Sequence, residues 1–224
     1  MSRPERVGVV FDMDGVLILS APAHWAAWRD VAWAHGLELT REAFFGTNGM
    51  ANPDIVRTLW GEVDDGIVRR IADAKERAFR ANIARQVPLA PGCVELLGAL
   101  RREGIPLALG SSAPEANVDH VLDHGSLREW FDAVVHSGMV ARGKPAPDIF
   151  LAAAERLGLA PSQCLVVEDA PNGVRAGVAA GMRVLGISSN HAPEELLEVG
   201  AVQVVPELAS VTPALVRQHL DFTA

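Results

Sequence analysis

Six short apolar runs recur along this chain, separated for the most part by stretches with helical spacing. They are Val7-Gly8-Val9-Val10-Phe11, Ile105-Pro106-Leu107-Ala108-Leu109, Asp132-Ala133-Val134-Val135-His136, Cys164-Leu165-Val166-Val167, Arg183-Val184-Leu185-Gly186-Ile187 and Ala201-Val202-Gln203-Val204-Val205. Short β-branched runs of this kind predict buried strands. Helices are predicted between the later runs, over 92–103, 114–124, 147–157, 171–180 and 193–199. Pro91, Pro114, Pro147, Pro171 and Pro193 stand near their first turns, and Gly104 and Gly181 stop two of them. Strands alternating with helices predict an α/β fold, a doubly wound parallel sheet of Rossmann-like form with right-handed crossovers. Ligands in such sheets bind beyond the carboxyl ends of the strands.

The segment over 18–87 breaks this rhythm. It contains helical stretches over 22–35, 40–45, 53–60 and 64–85 and no convincing strand, with Gly46-Thr47-Asn48-Gly49 and Gly61 as punctuation. The pattern predicts an all-helical cap inserted after the first strand, with Pro88-Leu89-Ala90-Pro91-Gly92 as the return to the core. The expected division is a core of 1–17 and 88–224 and a cap of 18–87. Trp25, Trp28 and Trp33 share the first cap helix and are expected to pack there.

Chemistry gathers where the apolar runs end. The first delivers Asp12-Met13-Asp14-Gly15-Val16, two carboxylates that can point into one cleft. One can attack while its neighbour manages the proton, and both can lean on a divalent cation. That suits phosphoryl transfer through an aspartyl-phosphate. The second run delivers Gly110-Ser111-Ser112, a hydroxyl with backbone N–H groups able to cradle phosphate oxygens. The third leads to Gly143-Lys144-Pro145-Ala146-Pro147-Asp148, where Lys144 offers a charge to the same oxygens. The fourth delivers Glu168-Asp169, carboxylates fit for an oxygen-loving cation such as Mg2+. Singly, Ser111 also reads as a helix cap, Lys144 as a solvated cation and Glu168-Asp169 as a turn. Together at one sheet edge they make a constellation.

Composition narrows the field. The 224 residues suffice for one α/β core and an inserted subdomain, and 49% hydrophobic content fits a compact protein. A formal charge of −8 argues against a nucleic-acid footprint, which needs a clustered positive face. The two cysteines, Cys93 and Cys164, read as reduced core residues. No stretch is apolar enough to span a bilayer, and Met1–Arg6 leads straight into the first run. The expectation is a cytoplasmic monomer acting on a small phosphorylated metabolite, without nucleic-acid or membrane partners.

In order and spacing, these elements resemble the haloacid dehalogenase superfamily of phosphohydrolases, in the branch with a helical cap after the first strand. The resemblance implies Asp12 as nucleophile and Asp14 as acid/base, with the Asp14 carbonyl on Mg2+. It implies that Ser111 binds the transferring phosphate, that Lys144 neutralises phosphate and nucleophile, and that Glu168 and Asp169 hold the metal. His24-Trp25-Ala26-Ala27-Trp28, Gly110-Ser111-Ser112-Ala113-Pro114 and Glu168-Asp169-Ala170-Pro171-Asn172-Gly173 resemble the group of β-phosphoglucomutases and sugar-phosphate phosphatases. By that resemblance His24 and Ser112 join the substrate-binding set.

Two positions depart from the group. Leu19-Ser20-Ala21-Pro22 is more apolar than the resemblance implies for the hinge. Mutases of the group resemble one another in placing Arg near Asn52, where an amide supplies no guanidinium fork. Lys75 and Arg57 are the candidate substitutes. The function implied is a Mg2+-dependent phosphatase of a sugar or polyol phosphate. The alternatives are a β-phosphoglucomutase-like phosphomutase or a non-catalytic binding protein on the same fold.

Overall fold

The computed structural model describes residues 6–45, 47 and 52–220. In chain order, β1 is Gly8–Phe11, and an insert follows with α1 (Ala21–Ala34), α2 (Arg41–Phe45), α3 (Asn52–Trp60) and α4 (Asp65–Ile83). The chain then runs α5 (Cys93–Arg102), β2 (Leu107–Gly110), α6 (Glu115–His124), β3 (Ala133–Val135), α7 (Asp148–Leu157) and β4 (Cys164–Glu168). It ends with α8 (Pro171–Ala179), β5 (Arg183–Ile187), α9 (Pro193–Glu198), β6 (Gln203–Val205) and α10 (Pro213–Leu220).

The six strands form one parallel sheet in the order β3-β2-β1-β4-β5-β6. The chain builds outward from β1 through β2 to β3, then returns to lay β4 on the other side of β1. This reversal is the switch point at which such sheets open a crevice beyond their carboxyl ends. Register aligns the crevice residues: Phe11 lies opposite both Leu109 and Val167, and the Asp12 N–H donates to the Val167 carbonyl at 3.0 Å. Asp12, Gly110 and Glu168 therefore stand level at the edge.

One face of the sheet shows Val10, Ala108, Val166 and Val184, which share a buried cluster with Ile149, Phe150 and Val174 of α7 and α8. Helices α5 and α10 pack together, and α10 also meets β4. Nearly every strand side chain is buried, which is why the runs lack polar alternation. The terminal helix α10 was not expected from the sequence. Residues 105 and 106 fall outside β2, although the Pro106 carbonyl still accepts from Val9 N–H at 3.1 Å.

Residues up to Leu19 and from Pro88 onward form one compact unit, and Ser20–Val87 form another. Ile18 and Leu19 go with the core because the two connections pair. Ile18 bridges Leu89, Leu19 N–H donates to the Pro88 carbonyl at 2.8 Å, and Ala90 N–H donates to Leu17 O at 2.8 Å.

The insert has its own core of Trp28, Val31, Ile55, Val56, Val68 and Ile71. Its longest helix, α4, starts under Asp64, whose carboxylate accepts from the N–H groups of Gly66 and Ile67. Trp25 lies 5.4 Å from Phe44, but Trp33, expected to pack, is 77% exposed on the polar side of α1. Gly46, Asn48 and Gly49 lie outside the described residues. No helix among the described residues is long and apolar enough to cross a membrane.

Candidate active site

Four strand ends bring their polar residues to one edge. Asp12, directly after β1, is 7% exposed. Lys144, from the loop before α7, donates through Nζ to Asp12 Oδ1 at 2.5 Å and to Glu168 Oε1 at 2.8 Å. Its side chain is 7% exposed, and Nζ lies 4.6 Å from the centre of the Phe150 ring. One ammonium thus joins the ends of β1 and β4, residues 132 and 24 positions away from it in sequence.

Glu168 ends β4, level with Asp12. Its Oε1 is on Lys144, and its Oε2 accepts from the Ala170 N–H at 2.7 Å. Each oxygen thus accepts one hydrogen bond within the protein, from Lys144 and from the residue that precedes α8. Gly173 explains how that carboxylate fits against α8: a Cβ there would lie 1.6 Å from Glu168 Oε1.

Ser111 is buried at the end of β2. Its N–H donates to the Val135 carbonyl at 3.0 Å, and its Oγ accepts from Ala113 N–H at 3.1 Å. Ser137 ties the neighbouring loop to the same turn, its N–H and Oγ both donating to the Ala113 carbonyl. Ser112 is exposed. Asp14 is half-buried in the turn after β1, where Gly15 N–H donates to Ile18 O at 2.7 Å.

Gly15 completes that turn with φ +79°, in the left-handed region. A Cβ there would stand 2.0 Å from Asp169 Oδ2 and 2.6 Å from Asn190 Nδ2. Gly15→Ala is expected to cost about 2 kcal/mol or more in chemical denaturation, since backbone strain and a polar clash add. A variant as stable as the parent would show that the turn has other room to move.

Electrostatics sets the demand on this site. Burial, with Glu168, Asp169 and Asp14 adding to it and Lys144 opposing, holds the Asp12 carboxyl well above the ordinary acid range. Burial and Glu168 push Asp169 up to about 7, while Asn190, Lys144 and Ser189 pull it back. Burial works against the Lys144 charge, yet Asp12 and Glu168 more than offset it and raise its pKa above the usual lysine value. One ammonium faces three buried carboxylates, and a phosphate dianion would add to the negative excess.

That excess fits a divalent cation. Among the described residues no three acidic, histidine or cysteine side chains form a ready-made metal cage. Mg2+ does not require one, because it keeps several waters and takes one or two carboxylates beside substrate oxygens. Asp12 and Asp169 supply that number, with hard oxygen donors of the right kind.

Within the insert, the expected binding residues meet one another. His24 stacks on Phe79 at 4.1 Å and 7°. Asn52 Nδ2 donates to Glu76 Oε1 at 2.5 Å, and Lys75 Nζ donates to the same oxygen at 3.0 Å. Lys75 is 4% exposed, with Nζ 5.7 Å from the Trp28 ring and 5.6 Å from Phe79. Arg57 turns instead to Asp65, at 2.9 Å on the surface. Glu76, Ser189 and Asn190 are polar residues that the sequence did not single out. None sits in a motif, and only the structure brings Glu76 to Asn52 and the other two to Asp169.

The chain is similar to known proteins over most of its length. A profile described as haloacid dehalogenase-like hydrolase matches residues 7–181. The fructose-1-phosphate phosphatase YqaB of Escherichia coli (strain K12) is 34% identical, covering 80% of this chain and 95% of that protein. The β-phosphoglucomutase of Bacillus subtilis (strain 168) is 29% identical, covering 95% of each chain. Among solved structures, a HAD hydrolase of family IA, variant 3, from Entamoeba histolytica HM-1:IMSS superposes with a TM-score of 0.89. It is 29% identical, over 96% of this chain and 99% of that one. With a profile spanning most of its length and this fold behind it, the chain belongs to the haloacid dehalogenase-like hydrolases and is related within them to sugar-phosphate phosphatases and β-phosphoglucomutase.

Proposed function

We propose that this enzyme, a haloacid dehalogenase-like phosphatase, hydrolyses monophosphate esters of small sugars or polyols with Asp12 as nucleophile. The observation that carries the reading is the buried Lys144 bridging Asp12 and Glu168, beside the Ser111 turn at the same sheet edge. Lys144 keeps Asp12 oriented for attack and opposes the effect of burial on its ionisation. A carboxylate oxygen of Asp12 bonds to phosphorus, the bond from phosphorus to the ester oxygen breaks, and Asp14 gives that oxygen its proton. Asp14 then takes a proton from water, whose oxygen attacks phosphorus and releases phosphate and the free Asp12 carboxylate. Ser111 Oγ and the N–H groups after it would hold the phosphate oxygens through both steps.

Asp12, Asp169 and the Asp14 carbonyl are the groups that would hold Mg2+. The bound cation would offset the negative charge brought together when phosphate meets these carboxylates. The reading is tested by phosphate release from a panel of sugar and polyol monophosphates. Turnover should require Mg2+ and vanish in EDTA, and Ca2+ should replace it poorly because its looser coordination disturbs the attack geometry. Full turnover in metal-free buffer would overturn the metal's part in the mechanism.

Hydrolysis is favoured over phosphoryl transfer between sugar positions by the state of the two candidate cations, Lys75 and Arg57. Lys75 is neutralised by Glu76, Arg57 by Asp65, and Asn52 gives its amide to Glu76. A second phosphate would have to compete with those carboxylates. With β-glucose 1-phosphate, with or without the 1,6-bisphosphate as primer, we expect slow phosphate release at most and no glucose 6-phosphate. Primed, multiple-turnover formation of glucose 6-phosphate would sink the phosphatase reading.

A further inference from the structure

The loop after β5 reads Ser188-Ser189-Asn190-His191, and the reaction just described uses none of it. Asn190 is exposed, yet its Nδ2 donates to Asp169 Oδ2 at 2.7 Å. Ser189 Oγ donates to the Gly15 carbonyl at 2.7 Å and lies 3.2 Å from the same Asp169 oxygen, its one hydrogen shared between them. Asp169 is 5% exposed, and both of these contacts fall on its Oδ2, leaving Oδ1 outside the grip. A carboxylate gripped through one oxygen has its plane set and its other oxygen aimed. The grip also takes in the backbone just past Asp14, since Gly15 leaves no room for a side chain between Asp14's turn and Asp169.

We propose that Ser189 and Asn190 are positioning residues for the divalent cation: they seize Asp169 Oδ2, tie it to the Gly15 carbonyl and so aim Oδ1 at the metal. This rests on the Mg2+ reading above. Groups that orient a ligating carboxylate affect metal affinity about 10–100-fold when removed. Asn190 is suited to reveal this, because an exposed side chain takes little packing with it.

The experiment titrates Mn2+, which shares the preference of Mg2+ for carboxylate oxygen, into substrate-free protein and reads free Mn2+ by electron paramagnetic resonance. Mg2+ competition then gives the Mg2+ affinity. Asn190→Ala and Ser189→Ala should each weaken binding, and the double variant should weaken it about 10–100-fold. Ser189→Thr, which keeps the hydroxyl, should retain the parent's affinity. Melting in EDTA should be unchanged in Asn190→Ala, whereas a merely structural role would lower it. If Asn190→Ala and the double variant bind Mn2+ as the parent does, the proposal is overturned and the metal reading stands. Should the double variant fail to fold, Asn190→Ala alone decides. A parent protein that binds no Mn2+ removes the metal reading and this proposal with it.

Discussion

Asp12→Asn should yield a folded protein with turnover reduced by at least about 10⁴-fold and no phosphorylated enzyme. The amide matches the carboxylate in size and keeps a carbonyl oxygen to accept from Lys144 Nζ, so the link to Lys144 and Glu168 survives. What it loses is the electron pair that attacks phosphorus. The same change should leave the metal-free protein at least as stable as the parent. Burial, with Glu168, Asp169 and Asp14 adding and Lys144 opposing, raises the Asp12 carboxyl well above 3.8. For such an acid the stabilising contribution is complete below the unfolded value and is lost as pH rises through the folded one. An amide escapes that loss, so its advantage should grow from acid toward neutral pH. Rapid-quench detection of phosphoenzyme, beside thermal melts over that range, checks both halves. Parental rates would mean that the nucleophile is misassigned, and a large fall in stability would mean that the carboxylate is structural.

Lys144→Ala should damage stability and activity together. Its ammonium holds two buried carboxylates, and removing it leaves Asp12 and Glu168 facing each other without compensation. Breaking a buried pair from one side costs about 3–5 kcal/mol. Turnover should be lost as well, because the ammonium beside the nucleophile, where phosphate would meet it, is gone. Adding Glu168→Gln to Lys144→Ala should recover part of the stability without recovering turnover, since it removes one stranded charge. Lys144→Arg should not rescue, because a planar fork cannot take the place of a compact ammonium between these two oxygens and over the Phe150 ring. Urea denaturation of the single and double variants measures the first claim, and phosphate release measures the second. Purely additive stabilities in the double variant would show that Glu168 and Lys144 do not act as a pair.

The strands and their carboxyl-end chemistry were legible in the sequence because each property is local. β-branched runs such as Val7–Phe11 and Cys164–Val167 select extended backbone, and the acids after them have to leave the sheet at its edge. Pro near a helix start and Gly after a helix end mark boundaries through fixed or permitted φ, which is why most helices fall within a residue or two of their expected ends. Pro106 has no N–H to give, and β2 begins at the next residue. Helix α10 left a weaker mark. Pro213–Leu220 is eight residues, too short to be stable alone, and its support is packing on α5 and β4.

The family resemblance implied that Lys144 serves Asp12, but other partnerships were beyond the sequence. Lys144 and Glu168 each carry charge suited to a phosphate or a cation, and composition cannot say that they would spend it on each other. The strand order decides that, by laying β4 beside β1 so that Glu168 stands level with Asp12 and within reach of one ammonium. Lys75 and Asn52 look like ligand-binding groups as isolated residues, but Lys75 pairs with its chain neighbour Glu76 and the fold of the insert brings Asn52 to the same carboxylate. Ser189 and Asn190 follow a strand with no motif at all, and they matter only because β5 pairs with β4 and carries them to Asp169. Local backbone preference sets which residues end a strand. Hydrogen bonds and ion pairs between residues distant in the chain exist only once the sheet has chosen its neighbours, and that choice belongs to the packing of the whole core.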